Sequence, residues 1–195
     1  INDNIYNIIE SKNDLSETNI IKILNKFDIE YKESDLLHIQ QLFIRNKTTQ
    51  WLIELCDELN FSLELYGWGW NKHNDKRVIK YYKGVASHED LNSLYNTSKY
   101  VFLSSGRTIN TQRLAEAVAS GSFPISYDSR NITLEKETWN DEILYFKSKN
   151  ELKNILEKQL EPRNTPEAVI NALSYEKLSH KIIKSIKERI NENNL

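Results

Sequence analysis

The chain has 195 residues, 39% of them hydrophobic, which suits one domain of ordinary size with a real core. Charged residues make up 28% and the net charge is −2, so there is no electrostatic footprint for DNA or RNA and no nucleic-acid partner is expected. The single cysteine, Cys56, excludes an intrachain disulfide, and no apolar run approaches the ~18 residues of a membrane helix.

No signal peptide is visible, so the expectation is a cytoplasmic protein without a membrane span. The first residue is Ile1, which reads as the start of a piece of something longer or of a processed product. Residues 1–60 read as a helical segment packed on the main domain. The clearest stretch is Asp35 to Glu58, where Leu36, Ile39, Leu42, Phe43, Trp51, Leu52, Leu55 and Leu59 recur at helical spacing. Thr48 and Thr49 are expected to mark a break within it. Cys56 falls in this apolar pattern and reads as a small core residue.

At Phe61 the period changes. Leu63, Leu65 and the turn at Gly67 predict a strand, and Val78 to Tyr82 predicts another. A helix from about Glu89 to Thr97 follows, with Ser87 and Asp90 at the spacing of a capping box. Tyr100-Val101-Phe102-Leu103 is a short continuous apolar run, as in a strand buried in a parallel sheet. A second helix covers roughly Asn110 to Ser120 and stops at Gly121. Phe123 to Tyr127 is the next strand; Pro124 lacks an amide and belongs near its start or at an edge.

Ile143 to Phe146 predicts a short strand. Ser148 with Glu151 is a second capping-box spacing, and Thr165-Pro166 reads as an N-cap before a helix-starting proline. The last helix runs from about Tyr175 to Ile190, with Leu178, Ile182, Ile183 and Ile186 on one face. The alternation of strand and helix predicts an α/β fold: a Rossmann-like parallel sheet flanked by helices, occupying residues 61–195, with the helical N-terminal segment before it and a helical C-terminal tail. In such sheets ligands bind beyond the carboxyl ends of the strands. Those ends are the loops after Tyr66, Tyr82, Ser104 and Tyr127.

The loop Ser104-Ser105-Gly106-Arg107-Thr108 joins a strand to a helix, whose unpaired amides suit a phosphate. Arg107 and Arg113 lie at that end, where cations oppose the helix dipole unless an anion is present. They read either as partners of a diphosphate or as two solvated arginines. Glu116 shares a helix face with Arg113 and reads either as a carboxylate for two adjacent sugar hydroxyls or as half of a surface ion pair. Gly67-Trp68-Gly69-Trp70 is a glycine loop directly after a strand. It lets a ligand approach the backbone, or its tryptophans cover the core edge. It is not a dinucleotide fingerprint. His38, His73, His88 and His180 have no metal-ligand spacing, and no nucleophile–base arrangement is present.

The stretch Leu65 to Trp70, then Gly84-Val85, Leu91 to Tyr95, the buried strand, and Arg113-Leu114-Ala115-Glu116-Ala117-Val118-Ala119-Ser120-Gly121 resembles the C-terminal domain of GT-B glycosyltransferases. The nearest flavour is the bacterial spore-maturation-like group, a relative of the group 1 family. The likeness covers roughly residues 61–128 and, more loosely, the tail to 190. It implies a domain that binds a nucleotide-sugar donor, with Glu116 on the ribose hydroxyls, Arg113 typical of the spore-maturation-like group, and the diphosphate at the start of the helix. The implied donor site comprises Gly67 and Gly69, the loop residues Ser105, Gly106, Arg107 and Thr108, the helix start Asn110, Thr111 and Gln112, and Arg113 and Glu116.

No cofactor and no metal is implied. Thr108 stands where many group 1 enzymes carry a second glutamate beside the donor sugar, so either the sugar is held differently or catalysis is lost. Residues 1–60 do not look like the acceptor-binding N-terminal domain of a complete GT-B enzyme, which usually supplies any catalytic base. The expected function is therefore the donor half of a glycosyltransferase, close to inactive alone. The alternatives are a non-catalytic nucleotide-sugar-binding or scaffold domain of the same fold, and another phosphate-binding α/β enzyme.

Overall fold

The structure is a computed structural model that describes residues 8–9, 11, 17–73, 75–104, 111–128, 143–158, 160 and 174–192. In the described order, helices α1 (Glu17–Lys26) and α2 (Glu33–Leu59) are followed by strand β1 (Leu65–Tyr66), a 3-10 turn (Trp70–Lys72), helix α3 (Lys76–Tyr81) and strand β2 (Tyr82–Gly84). Helix α4 (His88–Thr97), strand β3 (Tyr100–Leu103), helix α5 (Gln112–Ala119), strand β4 (Phe123–Tyr127) and strand β5 (Leu144–Phe146) follow. Helices α6 (Lys149–Glu157) and α7 (Tyr175–Glu192) end the described order.

Among the described residues every strand pairing is parallel. β1 pairs with β2, aligning Leu65 with Tyr82 and Tyr66 with Gly84 across an irregular step. β3, β4 and β5 form a second sheet in that order, with Tyr100 opposite Phe123 and Ile125 opposite Leu144. Parallel neighbours require a crossover, and α5 supplies it between β3 and β4. The architecture is α/β, with parallel sheets flanked by helices as in Rossmann-like folds. Pro124 is the second residue of β4, the middle strand, opposite Val101, so the missing amide falls near the strand's start.

Helix α2 joins two cores. Leu36, Phe43 and Ile44 in its first half pack with Ile20, Ile23 and Leu24 of α1. Trp51, Leu52, Leu55 and Cys56 in its second half pack with Ile125, Phe146, Leu152, Ile155 and Leu156 from β4, β5 and α6. Tyr127 touches both clusters. The expected break at Thr48 and Thr49 does not occur. Both threonines are buried, and the Thr48 hydroxyl donates to the Ile44 carbonyl one turn back at 2.6 Å. That bond satisfies the hydroxyl inside the helix, so the residue need not leave it. The helix stops at Asn60, which takes the left-handed conformation (φ 57) and donates to the Cys56 carbonyl.

The strand expected at Val78 to Tyr82 is a helix for most of its length. The Asp75 side chain accepts from the Arg77 amide and caps α3, turning Val78 into the core and leaving Ile79 exposed. The strand begins only at Tyr82. Two of the capping expectations lie on described residues. At α4 the box is complete: the Ser87 amide donates to the Asp90 carboxylate, and the Asp90 amide donates to the Ser87 hydroxyl, both at 3.1 Å. At α6 the Ser148 hydroxyl accepts from the Glu151 amide, but the Glu151 carboxylate accepts from Lys147 rather than from Ser148. The Thr165-Pro166 cap lies outside the described residues.

Helix α7 leaves Ile182, Ile183, Ile186 and Ile190 each about half exposed. Among the described residues no helix is long and apolar enough to cross a membrane.

Candidate functional site

The carboxyl ends of β1 and β3 and the start of α5 lie where an α/β sheet binds its ligand. Helix α5 is anchored by Leu114, Ala117 and Val118, all buried against the sheet, as their helical spacing predicts. Thr111 caps it, its hydroxyl accepting from the Leu114 amide at 3.2 Å. This anchoring fixes the outward face that carries Gln112, Arg113 and Glu116.

Glu116 is half-buried and lines a cleft of about 560 Å³ between α4 and α5. His88, Asn92, Tyr95, Asn96 and Ser120 share the lining. The Gln112 side-chain amide donates to the Glu116 carboxylate at 2.7 Å, one turn along the helix. Among the described residues the bond of Glu116 along its own helix is to Gln112, and no Arg113–Glu116 ion pair is formed. Across the cleft, burial raises the pKa of the Tyr95 phenol and the nearby Glu116 charge raises it further, while Arg113 opposes them. Tyr95 therefore stays a neutral hydroxyl beside a carboxylate. The far end of α4 is tied to β4 by Ser122, whose hydroxyl lies 2.6 Å from the Tyr95 carbonyl and 2.8 Å from the Ser98 carbonyl and donates to them. Those carbonyls belong to the helix end, where the Tyr95 carbonyl also accepts from the Ser98 amide at 3.3 Å.

The Gly-Trp-Gly-Trp loop follows β1. Gly67 and Gly69 both have positive φ, 121 and 87, a backbone that side-chain-bearing residues rarely adopt. The two tryptophans divide the readings left open by the sequence. Trp70 is 6% exposed and packs with Ile53 and Val78, whereas Trp68 is 82% exposed. Arg45, from the middle of α2, secures this loop. Its guanidinium sits 4.3 Å from the centre of the Trp70 ring and donates to the Trp68 carbonyl at 3.3 Å. Burial lowers the Arg45 pKa from the usual arginine value, and the positive charge of Arg113 acts in the same direction.

Of the residues expected at the site, Gly67, Gly69, Thr111, Gln112, Arg113 and Glu116 are placed as above. Ser105, Gly106, Arg107, Thr108 and Asn110 lie outside the described residues. Sequence reasoning did not single out Arg45 or Tyr95. Tyr95 carries a weak signal, since Leu91, Leu94 and Tyr95 share a helix face. Arg45 carries none, because its partners stand 23 residues or more away in the chain.

Cys56 is a core thiol, pushed up to about 11 by burial and then by Asp57, which keeps it out of nucleophilic chemistry. His38, His88 and His180 are exposed, and the ring of half-buried His73 accepts from the Asp75 amide. Among the described residues no three His, Cys, Asp or Glu side chains gather as metal ligands.

A family model described as glycosyl transferase-like matches residues 45–185, well over half of the chain. No curated protein and no solved structure matches the chain significantly.

Proposed function

The chain belongs to the glycosyl transferase-like family, and from that premise we propose that it is the donor-binding half of a GT-B enzyme of the spore-maturation-like kind, taking a nucleotide-sugar. The observation that carries the reading is the placement of Glu116. It stands in the helix that follows β3, faces a cleft, and is paired with an amide rather than a cation. A carboxylate so placed has lone pairs left beyond those used by Gln112 and Tyr95, and the adjacent 2′- and 3′-hydroxyls of a ribose supply donors for them. In this reading the diphosphate lies at the start of α5, near Arg113. The positive end of the helix and Arg113 neutralise it without a metal. They also stabilise the negative charge that grows on the diphosphate as its bond to the sugar breaks.

The test is calorimetric titration with uridine, guanosine and adenosine diphosphates, their parent nucleosides and their 2′,3′-dideoxy analogues. The expected result is binding of at least one diphosphate, weaker binding of its nucleoside, and weaker binding of its dideoxy analogue. Equal affinity for the ribo and dideoxy forms would remove Glu116 from the ribose. Failure of every diphosphate to bind would remove the donor reading itself. The same titration in EDTA checks the metal: binding that vanishes in EDTA and returns with Mg²⁺ or Mn²⁺ refutes neutralisation by arginine alone.

A further inference from the structure

Among the described residues, Arg45 uses only part of its hydrogen-bonding capacity. A guanidinium has five N–H donors in a planar fork. Here the described bond is a single donation to the Trp68 carbonyl, while one face of the fork lies against the Trp70 ring. Among the described residues no carboxylate pairs with it, and the charged group that acts on it is another cation, Arg113. Stacking on an aromatic face orients an arginine without neutralising it. The contrast with Arg77 is direct: it is paired with both Asp75 and Glu54. Two like charges brought together from different elements, one of them partly desolvated, destabilise each other until an anion lies between them.

The placement suits an anion of one kind. Arg45 reaches the loop after β1 from α2, Arg113 stands in the first turn of the helix that follows β3, and the charge of Arg113 acts on Arg45. We infer that Arg45 is a direct ligand of a diphosphate group, closing with Arg113 on its two sides, and that the helical segment before the sheet thereby contributes to the donor site. Its fork is held flat by Trp70 and aimed by the Trp68 carbonyl, so it meets phosphate oxygens pre-oriented. The inference rests on the donor reading above for the identity of the molecule that carries the diphosphate, but not for the anion site itself.

The experiment titrates inorganic pyrophosphate and the three nucleoside diphosphates into the wild-type chain, Arg45→Gln, Arg45→Lys and Arg113→Gln. Loss of a charged hydrogen bond is expected to weaken pyrophosphate, and any diphosphate that binds, by about tenfold or more in Arg45→Gln and in Arg113→Gln. Arg45→Lys keeps the charge and loses the fork, so it is expected to fall between Arg45→Gln and wild type. Wild-type affinity for pyrophosphate in Arg45→Gln overturns the inference. Should Arg45→Gln fail to fold, wild-type affinity in Arg45→Lys overturns it instead. If nucleoside diphosphates bind wild type and Arg45→Gln alike, the inference falls and the donor reading stands. If pyrophosphate binding depends on Arg45 and no nucleoside diphosphate binds, the anion site stands and the donor reading falls.

Discussion

At Glu116 the competing roles of a surface carboxylate separate by chemistry. Its described partners are the Gln112 amide and, across the cleft, the Tyr95 hydroxyl, donors that an amide oxygen at position 116 could still accept from. Glu116→Gln should therefore change folding stability by less than about 0.5 kcal/mol, as surface substitutions generally do. Ligand binding should respond differently, because a carboxylate accepting two ribose hydroxyls makes charge-assisted bonds that a neutral amide cannot. The expected loss of nucleoside diphosphate affinity is about 1.5–3 kcal/mol, roughly ten- to hundredfold. Thermal melts and titration of the same variant check both halves. A mutant that binds as well as wild type, or still discriminates the dideoxy analogue, is incompatible with Glu116 as the ribose contact.

Single elements depend on contacts that can be removed one at a time. Helix α4 carries one wall of the cleft and has no fully buried residue of its own, so its capping box and Ser122 hold much of its position. Ser87→Ala should destabilise the protein by about 0.5–2 kcal/mol in urea unfolding, with little change in the slope of the transition. A cost near zero would mean that packing alone sets the start of the helix.

The outer face of α2 carries Glu54, Asp57 and Glu58. Arg77 and Lys80 reach it from α3, and Lys149 and Lys153 from α6, with Arg77–Glu54 at 3.1 Å and Lys149–Glu54 at 2.8 Å. Burial works to raise the Glu54 pKa, but Lys149 and Arg77 outweigh it and hold it below the usual carboxylate value. The Arg77 side chain likewise lowers the pKa of Asp75. Carboxylates with depressed folded-state pKa values stabilise the fold above their unfolded pKa, and that stabilisation is lost as pH falls through the folded value. The melting temperature should thus decline below about pH 5, and Glu54→Gln should show a shallower decline than wild type. An unchanged acid limb in the variant would show that the network contributes nothing measurable, the usual fate of isolated surface pairs.

Over the whole molecule, two cores meet along α2, and α7 leaves an apolar stripe partly open. Ile182 and Ile186 are each about half exposed, and α7 contributes no member to the buried clusters among the described residues. Replacing both with lysine should leave urea-unfolding stability within about 0.5 kcal/mol of wild type. A loss of several kcal/mol would mean that the stripe is covered in solution, since removing fully buried isoleucines costs that much.

Much of this architecture is legible in the sequence because periodicity and capping are local. The apolar run 100–103, the spacing of Leu114, Ala117 and Val118, the Ser87–Asp90 box and Pro124 near a strand start each follow from neighbours a few residues away. The outward placement of Glu116 on α5 follows from the same spacing, whereas its proposed role rests on the family likeness alone. Tertiary structure decided the remainder. Thr48 stays helical because its hydroxyl finds a carbonyl inside a packed core, and Val78 enters a helix because Asp75 caps it and the Ile53–Trp70 cluster receives its side chain. Trp68 and Trp70, alike in sequence, part company only when one of them meets that cluster. Arg45 reaches the loop after β1 through contacts 23 residues away, and its proximity to Arg113 spans more of the chain still. Local patterns encode which way a side chain faces on its own element, whereas only the packing of elements decides which faces meet.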